Sequence, residues 1–219
     1  MALYAAFLTL AYPSGHVAVN VVDPRTLIGL MSGAMLPYWF AAQTLTSVDR
    51  ASVAMVKHVT LQLRQLDPNS GDLPEYAKCV KVVAKASFQE AAMPVAVLAL
   101  VPIVWGILFG KESLAGLLPG AIISSLQVAV SASSSGAAWK SAREYIELEG
   151  LGARRATGSP EHTTAIIAGQ IGDTMKDTYG PSIQTVVKLM AMVSIVFIPV
   201  FTDPRLGGIL TPGWLAKDK

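Results

Sequence analysis

Cysteine is almost absent from this chain. The single thiol, Cys79, in 219 residues excludes an intrachain disulfide framework and any metal site built from several thiolates. A lone cysteine of this kind reads as a small packing residue. Charge is also scarce: Asp, Glu, Lys and Arg make up 15% of the residues, against about 25% in ordinary soluble domains. The formal net charge is only +2, so no nucleic-acid partner is implied. The three histidines, His16, His58 and His162, show no ligand spacing and read as surface or cap residues. There is no nucleophile elbow, P-loop or His–Glu zinc pattern. A cleavable signal pattern is not seen in the first run either. Residues 1–12, "MALYAAFLTLAY", are apolar but lack a basic start and a small-residue cleavage site. They are also too short to span a bilayer, which takes about 20 apolar residues. Half a helix, an interfacial segment or the end of a longer spanner all fit.

What the chain does have is apolar length. Hydrophobic residues reach 52%, and the mean hydropathy is +0.48. Four runs follow the first. Residues 26–48 hold 23 residues without a charge, 91–110 hold 20, and 113–139 hold 27. The run after Asp177 is interrupted only by Lys188. Each is long enough to cross the hydrocarbon core. Pro37, Pro94, Pro102 and Pro119 lie inside them, which neighbouring helices can accommodate. Small residues (Gly29, Ser32, Gly33 and Ala34; Ser124, Ser125, Ser131 and Ser133) allow close helix packing. The expected fold is an all-α membrane protein. It is a single module over 1–219, with four full transmembrane helices at about 26–48, 91–110, 115–139 and 179–201 and a short N-terminal apolar half-helix.

Charge sets the orientation. Residues 49–90 and 140–177 carry eleven Lys and Arg, whereas the opposite set holds Arg25, Lys111, Arg205, Lys217 and Lys219. The positive-inside rule places 49–90 and 140–177 on the cytoplasmic or equivalent side. These loops are not idle coil. "DRASVAMVKHVTLQLRQL" has helical apolar spacing, "DPNSGDLP" breaks it, and "EYAKCVKVVAKASFQE" starts another helix. Residues 148–161 read as a flexible connection.

The charges that invite chemistry lie on that basic side. Lys140, Arg143, Glu144 and Glu147 follow i, i+3, i+4, i+7 spacing and share a helix face. Asp173, Asp177, Gln184 and Lys188 follow near-fourfold spacing, with Lys176 beside Asp177. Lys188 falls roughly 16 Å beyond Asp177 at 1.5 Å per residue. There a lysine needs a carboxylate, a water cavity or protein burial. One reading is a magnesium–phosphate site above an ion path, because magnesium takes oxygen ligands and shares them with phosphates. The other is helix-end charges plus one interhelical ion pair. Spacing alone favours the second.

Longer motifs add a resemblance. "GAMLPYWFAAQTLTSV" (33–48), "PEYAKCVK" (74–81), "VSASSSGAAWKSAREYIE" (130–147) and "IGDTMKDTYGPSIQTVVKLMA" (171–191) are similar, in order, to stretches of the membrane-integral, ion-pumping pyrophosphatases. The chain resembles the C-terminal part of that family over nearly its whole length. The resemblance implies a helical membrane protein, usually a homodimer, that hydrolyses magnesium pyrophosphate on the cytosolic side and drives protons or sodium across. By position it implies that Asp173, Lys176, Asp177 and Arg143 belong to the pyrophosphate and magnesium site, with Asp173 and Asp177 as metal ligands. Lys188 matches a lysine of the ion gate. Residue 1 falls partway along a family helix.

The departures carry equal weight. Lys140 stands where the family pattern has a magnesium-coordinating Asp, and Glu144 where it has a lysine. Gly169 replaces an acid, Ser134 an asparagine, and Lys85 an acid. A cation at a ligand position repels magnesium, and lost acids lower its affinity. The expectation is therefore a pyrophosphatase-derived membrane subunit without hydrolysis of its own, accessory to a larger complex and needing no cofactor. Its partners would be lipids and other membrane subunits, a second copy, or an N-terminal pyrophosphatase-like partner. The alternative is the C-terminal part of an active proton pump, using Mg2+ and pairing with such a partner. The expected location is a multi-pass organellar membrane: vacuolar or acidocalcisome-type, or a mitochondrial or plastid inner membrane.

Overall fold

The structure, a computed structural model, describes residues 1–13, 19–65, 76–148, 158–202 and 208. The described residues are all helix and turn, with no strand. The elements are α1 (Ala2–Ala11), α2 (Pro24–Gln65), α3 (Tyr76–Glu147), α4 (Pro160–Asp173), a π-helical segment (Thr174–Tyr179), α5 (Gly180–Val196) and the short α6 (Ile198–Thr202). Two stretches are long and apolar enough to cross a membrane: Tyr76–Glu147 and the continuous Pro160–Val196. The expected break at "DPNSGDLP" and most of the 148–161 connection lie outside the described residues.

Local chemistry accounts for the ends. Pro24 opens α2, where a missing N–H costs nothing. Ser159 caps α4, its hydroxyl accepting from the His162 N–H at 3.1 Å, with Pro160 at the first helical position. α2 runs unbroken from the expected span into the expected extension, with Pro37 inside it.

α3 is two helices rather than one. A straight rod of 72 residues would be roughly 108 Å long. Instead Gly110 adopts φ 81° and ψ 177°, a left-handed conformation that only glycine takes cheaply, and the chain reverses there. Contacts with α2 show the reversal. The arm before Gly110 runs antiparallel to α2: Cys79 Sγ donates to Gln62, and the Ser47 hydroxyl donates to the Glu90 carbonyl. The arm after it runs parallel: Ser124 donates to the Ala34 carbonyl at 2.8 Å, and Gly116 and Gly120 lie against the carbonyls of Thr26 and Leu30. Trp105 Nε1 donates to Ser113 Oγ across the turn at 3.0 Å. The sequence reading placed a short charged loop here, and the structure needs only one glycine.

The seam between α2 and the second arm of α3 depends on small residues. A Cβ at Gly33 would collide with the Leu117 carbonyl, and one at Gly120 with the Leu30 carbonyl. The core beside it is formed by Phe7, Leu114, Leu117, Leu118, Ile183 and Met190, all essentially sealed from solvent. Cys79 is buried, as expected of a packing residue. Large side chains such as Met31, Met35, Val104, Ile123 and Leu126 point outward, as they would toward lipid.

Candidate functional site

The site residues gather where α4 crosses the second arm of α3 in antiparallel fashion. Two glycines set the crossing. A Cβ on Gly136 would strike the Gly172 carbonyl, and a Cβ on Gly172 would lie 3.2 Å from Trp139 Cβ. One turn to one side, Lys176 Cβ comes within 3.0 Å of the position a Gly136 Cβ would take. One turn to the other side, the Arg143 side chain lies across Gly169, its Cδ 3.1 Å from where a Cβ would be. Arg143 is thereby set against Gly169 on one side of the crossing and Lys176 against Gly136 on the other, and Asp173 is near enough to act on the Arg143 charge.

Arg143 is held in place. Its Nε donates to Glu147 Oε1 at 2.8 Å. His162 Nε2 faces the same oxygen at 3.4 Å, and the Gly158 N–H reaches His162 Nδ1 at 3.3 Å. The hydrogen bond from Arg143, then that from His162, hold the Glu147 carboxyl below its usual range. The same Glu147 bond raises the Arg143 guanidinium further, and the charges of Asp173 and Glu144 add to it. His162 had been read only as a surface or cap residue. Its backbone N–H is indeed capped, but its ring is buried and tied to Glu147. The signal available was the capping sequence Ser159–Pro160, which fixes where the helix starts and hence where His162 points.

A second feature went unpredicted. Lys176 and Asp177 sit on a π-helical segment. Gly180 N–H bonds to the Met175 carbonyl five residues back. Pro181 has no N–H to give Asp177 in an α pattern, and a widened turn resolves the mismatch. Such turns recur at functional sites. The wider turn shifts the helical register, so the expected shared face holds only in part. Asp177, Gln184 and Lys188 are exposed, whereas Asp173 is half-buried and turned toward Arg143. Below the segment, the Tyr179 hydroxyl is buried without a hydrogen-bond partner among the described residues.

The remaining expected residues stand apart. Lys140, Glu144 and Ser134 are exposed on the second arm of α3, and Lys85 is exposed on the first. No ion pair or hydrogen bond among the described residues ties Lys85 to the corner. Lys188 was expected to need a carboxylate, a water cavity or protein burial. It is exposed, and no ion pair among the described residues reaches it. Gln184 and Thr185 beside it are exposed as well among the described residues.

The donor set does not fit a magnesium ion on its own. No group of three or more His, Cys, Asp and Glu side chains among the described residues converges on one point. Asp173 has the Arg143 guanidinium near it, and Asp177 follows Lys176 directly in the chain. The crossing carries both signs, with Arg143 and Lys176 set against Asp173, Asp177 and Glu147, and the Arg143 guanidinium is already bonded to Glu147.

Sequence comparisons agree with the motifs. A K(+)-stimulated pyrophosphate-energized sodium pump of Thermotoga maritima is 31% identical over 199 residues, 89% of this chain and 27% of the relative. A K(+)-insensitive pyrophosphate-energized proton pump of Methanosarcina mazei is 34% identical over 195 residues, 88% of this chain and 28% of the relative. A Clostridium tetani protein assigned to the K(+)-stimulated sodium pumps is 38% identical over 206 residues, covering 93% of this chain and 30% of its own length. The chain thus spans under a third of the length of these relatives. The family model for the inorganic H+ pyrophosphatases matches residues 1–197, and the chain belongs to that family.

Proposed function

We propose that this chain is the C-terminal module of a pyrophosphate-energized ion pump, contributing one wall of the pyrophosphate site and one wall of the ion path. The observation that carries this is the uncovered polar face of α5. Asp177, Gln184 and Lys188 are exposed on a helix whose other side is packed into the core. A bare lysine at that depth is costly in lipid, so the face fits a protein or water boundary supplied by the rest of a pump. Relatives more than three times as long supply such a remainder. In this reading Arg143 and Lys176 bind phosphate oxygens, and Asp173 and Asp177 supply anionic ligands. Any further acids for magnesium come from outside residues 1–219. In the same reading α2, the two arms of α3 and the α4–α5 stretch are four membrane spans, with the corner on the cytoplasmic side where soluble pyrophosphate arrives, and a second copy completes a homodimer. The named relatives are pumps of bacteria and an archaeon, which lends the expected organellar location no support.

The reading is tested by purifying the chain from its native membrane and assaying pyrophosphate hydrolysis. Hydrolysis lost in Asp173→Ala supports it. A second reading, an accessory subunit without hydrolysis, draws on Lys140 and Gly169, which replace acids of the family pattern. Co-purification with an unrelated complex and no hydrolysis in the wild type would select that one.

A further inference from the structure

The Arg143 guanidinium is engaged at one nitrogen. Its Nε donates to Glu147 Oε1, and no hydrogen bond among the described residues uses either terminal nitrogen. The Arg143 Cδ lies against Gly169. The stem is thus set on α4 and the Nε edge on the end of α3, while the far end of the guanidinium stays open. Two terminal nitrogens of this kind form a fork that takes phosphate oxygens in pairs.

Glu147 is itself held from a second helix. Gly158 sits at φ 93°, a conformation that glycine takes cheaply, and its N–H donates to His162 Nδ1. A backbone N–H is only a donor, so Nδ1 accepts and the ring proton belongs on Nε2. From Nε2 it is shared with Glu147 Oε1, the oxygen that also receives Arg143. The His162 ring is buried, and Ser159 and Pro160 fix the start of its helix. Donors from two helices therefore converge on one carboxylate oxygen, which a simple ion pair along one helix face lacks. Asp173 and Glu144 also act on the Arg143 charge. Neither is hydrogen-bonded to it among the described residues, so neither sets its orientation.

We propose that Glu147, buttressed by His162, is a positioning residue for pyrophosphate binding: it grips Arg143 through Nε and keeps both terminal nitrogens free for phosphate oxygens. The proposal rests on the functional reading above and deepens it, giving a role to two residues that touch no substrate. An unheld arginine loses rotamer freedom when it binds, and a partner that fixes it beforehand removes that cost from association. The Glu147–Arg143 pair keeps contact with solvent, and exposed pairs add little to stability. Its loss therefore shows in affinity and not in the fold, which separates positioning from a structural role.

Substitutions in the pump purified from its native membrane with all of its chains test this. Pyrophosphate hydrolysis is followed at a fixed excess of magnesium, and equilibrium dialysis with radiolabelled pyrophosphate gives Kd independently. Glu147→Ala should raise KM and Kd about tenfold, the equivalent of one charge-assisted hydrogen bond. Its kcat and its unfolding midpoint at pH 7 should stay close to those of the wild type. Glu147→Gln, which still accepts from Nε but without the charge, should fall between the two. His162→Leu should shift KM and Kd in the same direction by a smaller factor. His162→Gln, whose amide restores a donor near the Nε2 position, should bring them back toward wild type. Wild-type KM and Kd in Glu147→Ala, alongside intact wild-type hydrolysis, overturn this inference alone. So does a fall in kcat accompanied by a lowered unfolding midpoint, which marks a structural role. If Glu147→Ala fails to assemble, the comparison of His162→Leu with His162→Gln decides, and equal values overturn the inference. A wild type that binds pyrophosphate without hydrolysing it is judged on Kd by the same criteria. A wild type that neither hydrolyses nor binds pyrophosphate overturns the functional reading and the proposal with it.

Discussion

Two seams of this molecule are built with the same device and finished differently. Between α2 and the second arm of α3, glycines let two parallel helices touch backbone to backbone, and the seam lies beside the sealed core. Between that arm and α4, Gly136 and Gly172 create the same close approach. There, however, the flanks carry Arg143, Asp173, Lys176 and Asp177 and stay open. The first seam holds the module together. The second uses close packing to present charge, because bringing two backbones together also brings the side chains one turn away to the same rim. Small residues therefore mark both stability and site, and only what lies one turn further tells them apart.

The comparison can be broken most severely at the closed seam. Gly120→Leu should destabilise the purified protein by about 3 kcal/mol, since the added side chain meets the Leu30 backbone and overpacking of a rigid contact lies at the upper end of the usual range of about 1–3 kcal/mol; thermal unfolding in detergent measures it. A loss as small as that of an outward-facing substitution such as Ile123→Ala would show that the seam is not tightly packed. Next in size is the open face. Lys188→Leu should stabilise the chain when it is alone in a bilayer by about 2–3 kcal/mol, the cost of a lysine at mid-depth, while weakening its association with the rest of a pump. Stabilisation in both settings would mean that nothing polar covers α5.

The site seam can be sharpened by restoring acids. Lys140→Asp combined with Gly169→Asp replaces a cation and adds a carboxylate beside Arg143, whose flexible side chain can yield the 3.1 Å contact. The double variant should acquire magnesium-dependent binding of pyrophosphate that exceeds that of the wild-type chain, read by calorimetry. No gain would place the missing ligands elsewhere. The smallest effect belongs to Glu147. Its carboxyl lies below its ordinary value of 4.5 in the folded protein. The contribution of its bonds to Arg143 and His162 is thus complete at neutral pH, and it fades as pH falls below about 4.5 through the lower folded value. Glu147→Gln should flatten that acid limb of a stability–pH profile and change little at pH 7. The pair is partly exposed, and such pairs are worth little.

Much of the fold was legible in advance. Long uncharged runs require helices wherever backbone groups lack water, and the distribution of Lys and Arg separates the two ends. Both depend on composition over 20 or more residues, which one sequence displays fully. The reversal at Gly110 was half legible: the charged pair Lys111 and Glu112 marked its place, but not that a single residue suffices. The site was legible as a list and not as an arrangement. Spacing put Asp173, Asp177, Gln184 and Lys188 on one face, and the π-helical segment turned Asp173 away from the others. Gly169 read only as a lost acid, whereas its small size is what lets Arg143 lie across α4.

The sequence by itself determined that the chain is helical and apolar, and its motifs identified the family, because these follow from residue type and local order. The tertiary structure alone decided which polar residues meet. Arg143 reaches Gly169 and Glu147, while Lys188 is exposed and pairs with no charge among the described residues. That outcome hangs on how closely two backbones approach at Gly136 and Gly172 and on one widened helical turn ahead of Pro181. Neither leaves a periodic trace in the sequence, since each is the effect of a single residue on a contact between distant segments.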